Sequence, residues 1–223
     1  MSDAEFVLDE QRTRRLGFGE AMFCAGKSPA QIAAILDRAT VPMLLTRLAS
    51  ERFAALPTAH QAALDYDPLS CTAYSGAALP CVAPAQIAVV TAGTSDVPVA
   101  REALRTLEFQ GRAASLIADV GIAGLWRLLR RADELRGMRV VIVAAGMDAA
   151  LPSVIGGLVP GVVIAVPTSV GYGVAAGGYA ALNAILASCA PGIVTVNIDN
   201  GYGAACAALR VLGMQSGEHD GTR

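Results

Sequence analysis

From residue 85 onward, apolar residues fall into short runs set apart by polar, glycine-bearing breaks at regular intervals. Ile87-Ala88-Val89-Val90 and Val140-Val141-Ile142-Val143 are apolar at every position, the pattern of a strand covered on both faces of a sheet. The pattern predicts strands at 86–91, 113–118, 139–144, 162–166 and 193–197. It predicts helices at 97–109, 122–135, 149–158, 177–188 and 201–212. Such alternation implies right-handed βαβ units, hence an α/β domain over 86–212: a five-stranded parallel sheet in flavodoxin-like order with helices on both faces.

The first 85 residues are less regular and read as a small N-terminal α/β module. Asp9 to Cys24 is expected to be a helix interrupted by Gly17 and Gly19. Ser28-Pro29-Ala30-Gln31 is a capping box with proline at the first helical position, and Ile32, Ile35 and Leu36 share one face of the helix it opens. Pro42 to Arg47 reads as a short strand, and Ser50-Glu51-Arg52 starts a short helix ended by Pro57. Tyr66 to Pro84 suits an edge strand and a linker. Residues 213–223 are polar and expected to form a disordered tail.

Composition narrows the function classes. The net charge of −2, with a single lysine (Lys27) and scattered arginines, argues against nucleic-acid binding. Five cysteines without a C-x-x-C pair make a disulfide framework or zinc site an unsuitable reading, which points to a reducing cytoplasm. The acidic N-terminus lacks the basic-then-apolar pattern of a signal peptide. No charged residue lies between Asp148 and Asp199, but Pro152, Pro160, Pro167 and Pro191 interrupt that stretch. No clean run in it approaches the ~18–20 apolar residues of a membrane span.

Two loops carry the candidate chemistry. Gly93-Thr94-Ser95-Asp96 follows the first main strand, and Gly146-Met147-Asp148 follows the third. Ligands of parallel α/β domains bind at the carboxyl ends of the strands, so both loops are expected to line one pocket. Small residues let backbone N–H groups approach a phosphate, while Asp96 and Asp148 can hold ribose hydroxyls, a metal or a proton. Asp148 also has a plainer reading, as a cap for the next helix. Asp199-Asn200-Gly201 is likewise an ordinary turn and helix start. Lys27 and Arg47 are cations that suit a substrate's acids or a solvated surface equally well.

Several segments resemble a known family as they stand. They are Val90 to Ala100, Asp119-Val120-Gly121-Ile122-Ala123-Gly124-Leu125, Ala145-Gly146-Met147, Leu151-Pro152-Ser153-Val154 and Val166 to Gly173. To these are added Ser188-Cys189-Ala190 and Val196-Asn197-Ile198-Asp199-Asn200-Gly201-Tyr202-Gly203. The chain resembles the PurE superfamily of carboxylases and mutases, and within it the LarB family, the pyridinium-3,5-biscarboxylic acid mononucleotide synthases. The first part resembles it at Glu20 and Gly26-Lys27-Ser28-Pro29.

The resemblance implies a reaction. The family carboxylates C5 of the pyridinium ring of nicotinic acid adenine dinucleotide, using carbon dioxide or bicarbonate, and cleaves the phosphoanhydride to release AMP. The product leads to the nickel-pincer nucleotide. An electron-poor pyridinium cannot attack carbon dioxide, but a thiolate added to the ring makes C5 nucleophilic. The resemblance makes Cys189 that nucleophile, although a cysteine in alanine-rich sequence is otherwise a small packing residue. It makes Asp148, where the family carries glutamate, the second catalytic group and the ligand of a magnesium ion. The implied substrate contacts are Gly93, Thr94, Ser95, Asp96, Asp119, Gly146, Met147, Thr168, Ser169, Gly171, Tyr172, Asn197, Asp199 and Asn200, with Arg47 and Lys27. The PurE fold also implies a homo-octamer, with the uncharged stretch from Ala149 to Ile198 as its apolar contact surface.

Three rivals stand beside this reading. PurE enzymes carry Ala-His-Leu-Pro where this chain has Ala149-Ala150-Leu151-Pro152, and its two histidines, His60 and His219, lie outside the motif. A nucleotide-binding module without catalysis would keep the loops and have no use for Cys189. A nicotinamide dehydrogenase would need Gly-x-Gly-x-x-Gly after the first strand, which is absent.

Overall fold

Residues 6–9 and 11–215 are described by a computed structural model, in which the chain divides between Leu79 and Pro80 into two units. In the N-terminal unit, Gly17, at φ +80°, closes α1 (Arg12–Leu16) after little more than a turn. The chain then enters β1 (Ala21–Phe23), which pairs parallel with β2 (Met43–Thr46). The helix expected over Asp9 to Cys24 is therefore a short helix and a strand. Met22 and Cys24 are buried while Phe23 between them is exposed, a period-2 signal too short to read in the sequence.

Ser28 begins α2 (Pro29–Arg38) with both bonds of the expected capping box: the Gln31 N–H donates to Ser28 Oγ, and the Ser28 N–H donates to Gln31 Oε1. Ile32 and Ile35 face the core, whereas Leu36 is half-buried at its margin. Next come α3 (Ser50–Ala54), α4 (Thr58–Ala63), β3 (Leu64–Asp67) and β4 (Thr72–Ser75). The sheet order is β1-β2-β4-β3, so β3 is the edge, and β4 is an interior strand where the sequence suggested a linker.

In the C-terminal unit β5 (Val82–Thr91) begins four residues earlier than expected, at the margin of the sheet where its first residues are exposed. It is followed by α5 (Val97–Phe109), β6 (Arg112–Ile117), α6 (Leu125–Leu129), α7 (Ala132–Arg136) and β7 (Val140–Ala145). Then come α8 (Ala150–Gly156), β8 (Val162–Pro167), α9 (Tyr179–Leu186), β9 (Val194–Thr195) and α10 (Gly201–Gln215). All five strands are parallel, in the order β6-β5-β7-β8-β9, the flavodoxin-like arrangement. Every residue of β7 is 0% exposed, as its central place and its covering on both faces require. One face packs on α8 and α9 through Leu151, Ile155, Ala181 and Ile185, the other on α5 and α10 through Ala103, Leu107, Ala204 and Ala208.

Two helices differ from expectation. The helix expected over 122–135 is a 3-10 turn at Ile122–Gly124 followed by α6 and α7, broken at Arg130-Arg131, and nothing in the structure explains that break. The last helix continues through Gln215, so the expected tail is helical in its first three residues, while 216–223 lie outside the described residues.

Candidate active site

A cleft of about 290 Å³ opens at the carboxyl ends of β5, β6 and β7. Gly93, Ser95 and Asp96 line it after β5, Gly121, Ile122, Ala123 and Arg127 after β6, and Gly146 to Leu151 after β7. Four non-glycine residues at strand ends of this unit adopt left-handed backbone: Asp119 (φ +59°), Met147 (φ +55°), Ala149 (φ +44°) and Asp199 (φ +56°). Backbone strain of this kind collects where a loop is held for a purpose other than stability.

Asp96 sits at the floor, 3% exposed. Its carboxylate accepts the Gly93 N–H (2.8 Å) and the Thr168 hydroxyl (2.6 Å). Burial raises its pKa above the ordinary 3.8, against the lowering effect of the bonds from Thr168 and from the Gly93 and Gly146 backbone. Asp96 thus ties the loop after β5 to the end of β8. Gly146 is fixed by closeness: a Cβ there would stand 2.2 Å from the Val170 carbonyl oxygen and 2.7 Å from Thr168 Oγ1. The Met147 N–H donates to that same Val170 carbonyl, which leaves Met147 41% exposed at the rim.

Asp148 is exposed in the cleft, and no protein group bonds its carboxylate among the described residues. It does not cap α8, whose N-cap is Ala149 with no side-chain bond, so the plainer reading of Asp148 fails. The hydroxyls of Thr94 and Ser95 are also exposed and unpaired, but only Ser95 lines the cleft. Asp119 does not line the cleft and instead binds Arg127, which does; the Arg127 Nη1 to Asp119 Oδ2 distance is 2.5 Å. Arg127 is a cleft residue that the strand-end loop pattern does not single out. Its signal is a lone cation in an otherwise apolar stretch, Ile122 to Leu129, just after a strand-end loop.

The other expected residues fall elsewhere. Thr168 is buried beneath Asp96, while Ser169, Gly171 and Tyr172 lie beyond the cleft lining, which takes only Val170 from their loop. Asp199 accepts the Ser169 N–H (2.7 Å), and Asn200 accepts the Gly203 N–H (2.8 Å) at the start of α10. Asn197 accepts the N–H of its own neighbour, Ile198. Lys27 and Arg47 belong to the N-terminal unit. Cys189 is free and exposed on the α9–β9 connection, where Ser188 Oγ meets Ser153 Oγ of α8 at 2.7 Å, and it does not line its own chain's cleft. Among the described residues no three His, Cys, Asp or Glu side chains gather in a group fit for a metal ion. No helix among them is long and apolar enough to cross a membrane.

The family profile for AIR carboxylase matches residues 86–221, and the profile for the LarB/PurE-like N-terminal domain matches residues 3–75. The chain belongs to the LarB family within the PurE-related superfamily. An uncharacterised protein of Methanocaldococcus jannaschii is 51% identical over 122 residues, 53% of this chain and 46% of that protein, so the match spans about half of that relative. The N5-carboxyaminoimidazole ribonucleotide mutase of Pyrococcus horikoshii is 35% identical over 137 residues, 58% of this chain and 73% of that enzyme. A crystal structure of a PurE2 variant from Treponema denticola aligns with a TM-score of 0.44 and 18% identity, over 58% of this chain and 89% of that one. The superfamily to which the chain belongs is one of carboxylases and mutases.

Proposed function

We propose that this LarB-family protein carboxylates C5 of the pyridinium ring of nicotinic acid adenine dinucleotide and hydrolyses its phosphoanhydride. The products are AMP and pyridinium-3,5-biscarboxylic acid mononucleotide, for nickel-pincer nucleotide synthesis. The observation that carries this reading is a PurE-type cleft with no histidine lining it among the described residues, in a chain that also has the LarB-type N-terminal domain. A mutase of the PurE type needs an imidazole to move its proton. Here Ala150 stands in that place, and His60 pairs with Asp37 (3.0 Å) in the N-terminal unit.

The chemistry follows from the groups present. The Cys189 thiolate adds to a ring carbon, and its electron pair passes through the ring to neutralise the nitrogen. C5 then forms a carbon–carbon bond with carbon dioxide. Asp148, exposed and without a protein partner among the described residues, takes the C5 proton. The carbon–sulfur bond breaks, restoring the pyridinium and returning the thiolate. Water cleaves the anhydride. Magnesium would be held by Asp148 together with the substrate's phosphates, as suits an ion that binds through one or two carboxylates and a phosphate. It would neutralise charge at the anhydride.

Because Cys189 is exposed and outside its own chain's cleft, the reading requires it to serve the cleft of a neighbouring copy in a homo-octamer. Exposed Tyr172 and Val174 before α9, and Tyr179 and Leu186 at its two ends, suit an apolar contact between copies. The deciding experiment is incubation of purified protein with nicotinic acid adenine dinucleotide, bicarbonate and magnesium, read by mass spectrometry. AMP and the biscarboxylated mononucleotide appear with wild type and are lost in Cys189→Ala. Conversion of N5-carboxyaminoimidazole ribonucleotide instead, unaffected by Cys189→Ala, would replace this reading with the mutase activity named for the Pyrococcus relative.

A further inference from the structure

Asp148 is flanked by two residues in left-handed backbone, Met147 (φ +55°) and Ala149 (φ +44°). Neither residue type favours that region, so the turn keeps its shape only where its surroundings impose it. Two bonds do so. The Ala149 N–H donates to Gly146 O within the turn (2.9 Å), and the Met147 N–H donates to Val170 O (2.9 Å). The Val170 carbonyl belongs to the loop after β8, and Gly146 approaches it so closely that a Cβ would stand 2.2 Å from its oxygen. The shape of the Asp148 turn is therefore set by where that loop holds Val170.

The loop is in turn clasped by Asp199 at two points. The Asp199 N–H donates to Pro167 O (2.8 Å), and the Asp199 carboxylate accepts the Ser169 N–H (2.7 Å). Asp199 is itself anchored. It stands just before α10, whose start is pinned to α5. The Tyr202 N–H donates to the buried carboxylate of Glu102 (3.2 Å), and a Cβ at Gly201 would stand 2.3 Å from Val99 O. A path of short contacts thus runs from α5 through Asp199, Ser169 and Val170 to the residue before Asp148. Ser169 and Val170 enter it through backbone alone, so the Asp199 carboxylate is the side-chain link nearest the cleft.

We propose that Asp199 is a positioning residue: by holding Ser169 it fixes Val170, keeps Met147 in its left-handed turn and so keeps Asp148 in the cleft. The proposal rests on the carboxylase reading for what Asp148 does, while the brace itself stands on the contacts.

The test compares wild type with Asp199→Gly and Asp199→Asn in the full chain. Glycine adopts φ +56° without strain, so Asp199→Gly deletes the carboxylate and spares the turn. Asparagine keeps an oxygen that can accept the Ser169 N–H. Both variants remove the charge that acts on Asp96, so the difference between them isolates the hydrogen bond. The readouts are amide hydrogen exchange at Met147 and in β7, and steady-state carboxylation of nicotinic acid adenine dinucleotide. Asp199→Gly should speed Met147 exchange about tenfold while the β7 amides keep their wild-type rates. It should lower kcat about 10- to 100-fold with KM within about threefold. Asp199→Asn should stay within about threefold of wild type in both readouts.

Unchanged Met147 exchange in Asp199→Gly would overturn the proposal. An equal rise across β7 would also overturn it, reducing Asp199 to a general support of the fold. So would an Asn variant as impaired as the Gly variant, or a loss carried by KM, either of which would make Asp199 a direct contact to substrate. Faster Met147 exchange that asparagine restores, with no carboxylation by wild type, would uphold the brace and overturn the carboxylase reading instead.

Discussion

Two halves of the same sheet edge put nearly the same residue types to opposite uses. At the ends of β5 and β7, Ser95 and Asp148 face the cleft with no protein partner among the described residues. At the ends of β8 and β9, the polar groups are consumed internally: Thr168 by Asp96, the Ser169 N–H by Asp199, and Asn200 by the first turn of α10. Glu102 of α5 belongs to this second group, buried at 3% exposure and accepting the Tyr202 N–H (3.2 Å). A hydroxyl or carboxylate at a strand end is thus no indication of binding in itself. What separates the halves is whether a neighbouring loop already satisfies it.

Removing groups from each half should separate turnover from stability. The largest effect belongs to the open half. Asp148→Asn should cut product formation by about 10²–10⁴-fold with an unchanged unfolding midpoint. A comparable loss is expected for Cys189→Ala. If the cysteine serves a neighbouring cleft, oligomers refolded from mixed Asp148→Asn and Cys189→Ala chains should regain activity that neither parent has. Mixtures that stay inactive would place both groups in one chain's site.

In the braced half, Thr168→Val should cost about 1–3 kcal/mol in urea unfolding, because it strips a bond from a buried carboxylate. Asp96 should carry a pH signature. Burial raises its pKa, so the folded state holds the proton more tightly than the unfolded chain. Its stabilising contribution is present below 3.8 and is lost as pH climbs through the folded value. Wild type should therefore lose stability relative to Asp96→Asn as pH rises above 3.8, read as the difference in urea midpoints. A constant difference would show that Asp96 does not titrate there. The smallest expected effect is that of Ser169→Ala, within about 0.5 kcal/mol and without change in activity, because only the backbone of Ser169 is engaged.

Much of the main sheet was legible in the sequence. Val140 to Val143 has the pattern of a strand hidden on both faces, and the repeated strand–helix alternation suggested the flavodoxin-like order that the sheet takes, β6-β5-β7-β8-β9. The N-terminal unit was legible at α2, where Ser28, Pro29 and Gln31 act locally, and illegible at β1, whose three residues owe their conformation to pairing with β2. The cleft was legible at Gly93, Ser95, Gly146 and Asp148, which directly follow strands. Arg127 was not, because its place depends on where Asp119 is latched and on the missing side chain of Gly124. Nor could the sequence tell that Thr168 and Asp199 would be satisfied by other loops, since each partner lies at least thirty residues away along the chain.

The complete burial of β7 has a consequence for motion. Its backbone bonds to β5 and β8 on either side, and none of its residues meets water, so its amides should exchange with solvent only when the whole unit opens. The loop Gly146 to Ala149 is therefore hinged to the slowest part of the molecule. Ligand entry can ripple through the strand-end loops while the strand beneath keeps time with global unfolding alone.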